Sequence, residues 1–168
     1  EAAPLWFATD PFCLEHVAAV TEEPSGRVAV DVIARPSGDG GDATLLRLTL
    51  DPARGVCLPE VLDASPQDLP TGDPRTSTGG RRWLWTLATD GDGPAPVGTR
   101  LYRHDLQGGE RVEVSLPEGV RVGELSYVPA HGRAAEGEGW LVGFCWEGAR
   151  AEPGFLVLDA RRPGAPPV

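Results

Sequence analysis

Turn-forming residues interrupt this chain so often that no stretch is left for a stable amphipathic helix. Gly supplies 22 of the 168 residues and Pro 17, clustered with Asp and Ser between short apolar runs. Runs rich in β-branched and aromatic residues, bounded in this way, read as strands. About nine follow: 28–33, 44–50, 56–62, 82–88, 99–106, 111–116, 123–128, 140–146 and 155–158. Within 44–50 the side chains alternate, Leu46, Leu48 and Leu50 on one face, Arg47 and Thr49 on the other. Residues 111–116 alternate likewise, with Val112, Val114 and Leu116 facing in, and Gln107-Gly108-Gly109 joins this run to 99–106 as a hairpin. Residues 63–80, which hold Pro66, Pro70 and Pro74, read as a long irregular stretch, and 89–97 and 147–154 as loops. Such spacing means an all-β sandwich, barrel or propeller, which periodicity alone does not separate.

Charge narrows the function classes. The net charge of −10 leaves no basic patch to displace counterions from phosphates, which excludes nucleic-acid binding. All 15 basic residues are Arg, and nothing approaches a run of about 18 apolar residues, so no membrane span is expected. No signal peptide is visible, and with no Met anywhere the first residue is not an initiator; the chain reads as a piece of a longer one. Cys13, Cys57 and Cys145 are odd in number and far apart, the pattern of reduced, buried thiols in a cytoplasmic protein.

One histidine stands out, in Phe12-Cys13-Leu14-Glu15-His16-Val17-Ala18-Ala19-Val20-Thr21-Glu22, ahead of the Val30-Asp31-Val32 strand. An imidazole at the rim of a strand-rich scaffold suits a first-row metal, although most isolated histidines are structural or solvated. The segment resembles one that carries an iron-binding histidine in the carotenoid cleavage oxygenases: Phe-x-x-x-His-x-x-Asn-Ala-aromatic-Glu, followed by a Val/Asp strand. Phe12, His16, Glu22 and the strand match; Ala19, Val20 and Thr21 depart. Three later segments keep the family's order. Gln67-Asp68-Leu69-Pro70, with Arg75 and Gly79-Gly80-Arg81-Arg82-Trp83, resembles Glu-Phe-Pro-Arg … Gly … Arg-aromatic, Asp68 replacing the glutamate. Leu101 to Leu106 resembles Leu-x-Lys-x-Asp-Leu, and Gly123-Glu124-Leu125-Ser126-Tyr127-Val128-Pro129 resembles Gly-Glu-Pro-x-Phe-Val-Pro.

The resemblance implies part, about two to three blades, of a seven-bladed β-propeller in which four histidines hold Fe(II) on the central axis. It makes His16 a metal ligand, and Asp68 and Glu124 carboxylates that orient ligand histidines through their other ring nitrogen. Asp68 is one methylene shorter than the family's glutamate. Residue by residue, Glu124 also reads as an ordinary exposed acid and Asp68 as a turn residue in a proline-rich loop. His104 and His131 match no ligand position, and the pairs Trp83/Trp85 and Trp140/Trp146 read as blade packing.

The resemblance further implies an Fe(II)-dependent dioxygenase that cleaves a C=C bond of a carotenoid, apocarotenoid or stilbene-type substrate with O2. Its partners are a lipophilic polyene or stilbene-type molecule and, peripherally, a membrane. Residues 1–168 then form a C-terminal portion of one propeller domain, inactive by itself, with the other three ligands outside it. The alternative is a non-catalytic β-propeller binding module, to which the departures at Ala19, Val20, Thr21 and Asp68 point.

Overall fold

Among the described residues, eleven strands form three antiparallel sheets, each a meander in which sequence neighbours pair. The computed structural model describes residues 3–38, 40–76, 79–89, 97–132, 134–166 and 168. The first sheet holds β1 (Phe12–Glu22), β2 (Val28–Pro36), β3 (Thr44–Asp51) and β4 (Val56–Asp63) in that order. The second holds β5 (Gln67–Thr71), β6 (Trp83–Ala88), β7 (Arg100–Asp105) and β8 (Glu110–Ser115). In the third, β10 (Gly139–Glu147) lies between β9 (Val120–Pro129) and β11 (Glu152–Asp159). The first strands of the sheets touch in sequence, β1 against β5 and β5 against β9. This is the arrangement of successive propeller blades.

The middle sheet explains why Trp83-Leu84-Trp85-Thr86-Leu87-Ala88 reads as a continuous apolar run instead of an alternating one. Both of its faces are covered. Leu84 packs with Ala18, Ile33 and Leu45 of the first sheet. Trp85 and Leu87, pointing the other way, pack with Val122, Leu125, Tyr127, Leu141 and Leu158 of the third. Leu84 and Leu141 are both 0% exposed, each worth about 2 kcal/mol of transfer free energy. The outer faces are different: Val17 and Val61 on the first sheet, and Phe144, Trp146 and Phe155 on the third, stay exposed.

Several expectations need correction. Two strands, β1 and β5, lie where none was read. Residues 63–80 are not irregular throughout, since they contain β5 and a 3-10 turn at Pro74–Thr76. Residues 147–154 are not all loop, because β11 starts at Glu152. Val112 shares the face of Val114, which packs on the core, but is itself 45% exposed, because β8 is the outer edge of its sheet. The alternation read on β3 holds, with Leu46, Leu48 and Leu50 on one half-buried face and Arg47 and Thr49 on the other, beside the core residue Leu45. The cysteines are unpaired, but Cys13 is exposed and Cys57 and Cys145 are only half-buried. The predicted loop at 89–97 falls largely outside the described residues. No helix among them is long and apolar enough to cross a membrane.

Candidate metal centre

β1 delivers His16 through an irregular ladder. Its pairing with β2 slips between Leu14 and His16 and again between Val17 and Ala19. Such bulges bend a strand and re-aim its side chains. β5 meets it from the neighbouring sheet and is irregular too. Asp68 pairs with Leu87, after which the register jumps to Thr71 opposite Trp85. Leu69 and Pro70 fall in the gap, where Pro70 need not donate to the ladder. Leu69 is left-handed, with φ of 50°, a costly conformation for a branched side chain that tends to persist at functional sites.

These two irregular strands bring His16 and Asp68 together. His16 Nε2 lies 3.2 Å from Asp68 Oδ1, with the two side chains 42% and 17% exposed. The same oxygen accepts the Leu69 backbone N–H at 2.8 Å. The bulge thus carries a carboxylate one methylene short of the family's glutamate within reach of the imidazole. With Nε2 occupied by a carboxylate, the other ring nitrogen has no protein partner among the described residues. A histidine that ligates a metal through one nitrogen and anchors the other on a carboxylate has this arrangement, and a neutral imidazole suits ferrous iron. The pair therefore fits one ligand position of an iron site. Among the described residues, no group of three or more His, Cys, Asp or Glu side chains converges to hold a metal.

Glu124 is not brought to this pair. It sits where the β9–β10 register jumps from Gly143 opposite Leu125 to Cys145 opposite Val122. Leu125 and Tyr127 turn toward the second sheet, while Glu124 is exposed. It borders an open groove of about 820 Å³ lined also by Val128, Phe144, Trp146 and Phe155. Its carboxylate makes no hydrogen bond or ion pair among the described residues.

The remaining candidates sort by burial. His131 is exposed in a loop. His104 is buried and faces no metal site: its Nε2 lies 2.9 Å from Gln67 Oε1, which also accepts the Thr86 hydroxyl at 2.8 Å. Burial pushes its pKa down from 6.5 to about 4, against the nearby Asp63. Trp85 is core, stacked on Tyr127 with ring centres 5.3 Å apart, whereas Trp140 and Trp146 lie on exposed faces. Two features had no signal in the sequence. One is the His104–Thr86–Gln67 network that anchors β5 just ahead of Asp68. The other is Arg81, buried next to an Arg82 that looks no different from it.

The sequence profile of the retinal pigment epithelial membrane protein family matches residues 1–168. The chain belongs to that family. A carotenoid cleavage oxygenase from Mycobacterium tuberculosis (strain CDC 1551 / Oshkosh) is 29% identical over 93% of this chain and 34% of the relative. The chain therefore spans about a third of the length of the curated proteins it resembles. Among solved structures, cobalt-substituted Synechocystis ACO superposes with a TM-score of 0.77 at 24% identity, covering 92% of this chain and 35% of that one. A mutant of the Synechocystis apocarotenoid oxygenase gives the same TM-score at 22% identity, with the same coverage. These likenesses establish the fold: the three sheets are consecutive blades of a family propeller.

Proposed function

We propose that the protein to which this chain belongs is a non-haem Fe(II) dioxygenase that cleaves a C=C bond of a carotenoid, apocarotenoid or stilbene-type substrate. The observation that carries this reading is the 3.2 Å contact between His16 Nε2 and Asp68 Oδ1, made at the two positions that the family resemblance marks as ligand and orienting carboxylate. Bound ferrous iron supplies the activation of O2 beside the alkene. His16 would hold it through the ring nitrogen that does not face Asp68. Asp68 accepts the other N–H, fixing the ring's tautomer and plane. The Leu69 amide holds Asp68 in place from behind. Glu124 is the carboxylate for a different ligand, contributed from outside these residues. Unpaired thiols at Cys13, Cys57 and Cys145 accord with a cytoplasmic protein.

The test is ferrous iron per chain in the full-length protein purified anaerobically, beside His16→Ala. About one iron in the parent and little in the variant is expected. Negligible iron in both overturns the dioxygenase and leaves a non-catalytic propeller.

A further inference from the structure

Arg81 is a buried cation whose two acceptors belong to the two segments that carry His16 and Asp68. It is 8% exposed. Its Nη1 donates to the carbonyl of Ala18 at 2.7 Å and its Nη2 to the carbonyl of Asp73 at 3.1 Å. Its Nε is buried without an acceptor. Burial pulls its pKa below the ordinary value, with Glu136, Asp73 and Asp31 acting against that. A guanidinium desolvated with one N–H unmet is a poor device for stability alone. Its placement accounts for it. Ala18 is the extra residue of the second β1 bulge, skipped between Val17 opposite Val32 and Ala19 opposite Asp31. Bulges leave such a residue outside the ladder, and Arg81 takes its carbonyl. Asp73 lies two residues beyond the end of β5 at Thr71. Gly72 keeps the passage open: a Cβ there would lie 2.8 Å from Arg81 Nη1 and 2.9 Å from Cζ.

We propose that Arg81 is a positioning residue. It clamps the bulge carbonyl of Ala18 to the chain leaving β5 and so holds the His16 imidazole against the Asp68 carboxylate. The inference rests on reading His16 as an iron ligand, but the clamp itself is measurable without iron. The full-length protein is compared with Arg81→Met, Gly72→Ala, which pushes the guanidinium aside, and Leu141→Ala, which opens a cavity in the other sheet interface. Ferrous iron affinity and hydrogen exchange of the β1 amides are read in each, with His16→Ala as reference. Arg81→Met and Gly72→Ala are expected to weaken iron binding about 10- to 100-fold and to speed exchange in β1. Leu141→Ala is expected to lower the melting temperature and leave both readouts alone. Parental iron affinity in Arg81→Met and Gly72→Ala, or an equal loss in Leu141→Ala, overturns the proposal. If His16→Ala keeps its iron, the dioxygenase reading fails and exchange decides the clamp: faster exchange confined to β1 upholds it, and unchanged exchange overturns it. Should Arg81→Met not fold, Gly72→Ala carries the same comparison.

Discussion

Asp68 Oδ1 serves His16 Nε2 at 3.2 Å and its own neighbour's amide, Leu69 N–H, at 2.8 Å. One oxygen thus links the imidazole to a left-handed backbone turn. The short side chain still reaches the imidazole, and its carboxylate is tied to the backbone at Leu69, where the β5–β6 register jumps.

Asp68→Asn keeps the shape and removes the charge. Iron affinity of the full-length protein should fall about 10- to 100-fold with little change in melting temperature. Asp68→Glu, although it restores the family's residue, should also weaken iron, because the bulge is set for the shorter side chain. Tighter iron binding in Asp68→Glu than in the parent would refute that account of the bulge.

His104 gives a pH dependence with a defined sign. Its folded pKa is about 4 against an ordinary 6.5, so between these values the unfolded chain binds a proton that the folded one does not. The stability it contributes is complete above about pH 6.5 and is lost as pH falls toward 4, by about 3 kcal/mol in all. Asp105, held down to about 2 first by its hydrogen bonds from Arg82 and then by the Gly108 amide, acts in a lower window: its share is present above 3.8 and lost as pH falls through 2. Denaturant unfolding at pH 7 and pH 5 should therefore show a drop in the parent that His104→Gln largely lacks. Equal drops in both would refute it.

How much of this was legible follows from where the pleat is regular. β2, β3, β6, β7 and β10 announce themselves because Val, Ile, Leu and Trp repeat at strand spacing between turn residues. β1 and β5 do not, because each contains bulges that break the two-residue period, and β5 also contains Pro70 and a positive φ. Those are the strands that carry His16 and Asp68. The candidate site was therefore invisible to periodicity and was reached only through resemblance; functional sites are where local rules are expected to fail. Arg81 and Arg82 make the same point. Adjacent and identical in type, they end up buried on backbone carbonyls and half exposed on Asp105 respectively, a difference set by which side of the chain faces β1. Glu124 was legible as a residue to watch, but the face it occupies is decided by the register jump opposite Gly143 and Cys145.

That jump makes Gly143 a sensitive position. A Cβ on Gly143 would sit 2.5 Å from the Glu124 carbonyl and 2.8 Å from Leu125 Cδ2. Backbone cannot yield as a flexible side-chain tip can, so Gly143→Ala must spread β9 from β10. We expect a loss of about 1–3 kcal/mol in unfolding free energy and faster amide exchange at Glu124 and Leu125. Gly123→Ala, where a Cβ meets nothing within 4 Å, is the control and should be close to neutral.

Asp31 and Arg47 supply the last prediction. They face each other across β2 and β3, and Arg47 grips both carboxylate oxygens, Nε to Oδ1 at 2.7 Å and Nη2 to Oδ2 at 3.0 Å. Asp31 is 3% exposed and Arg47 is a quarter exposed in its side chain. Removing the buried partner is the damaging change. Asp31→Ala leaves a guanidinium half in the interior with no counter-charge, and also takes away one of the carboxylates that offset the charge of Arg81. A loss of about 2–4 kcal/mol is expected, somewhat under the usual figure for a fully buried pair because water still reaches Arg47. Replacing both, Asp31→Leu with Arg47→Leu, removes the desolvation penalty with the attraction and should recover most of that loss. What it should not recover is iron affinity, if Asp31 also supports Arg81 at the Ala18 bulge. A double variant restored in stability but still weak for iron would tie this ion pair to the site, whereas recovery of both would confine it to the fold.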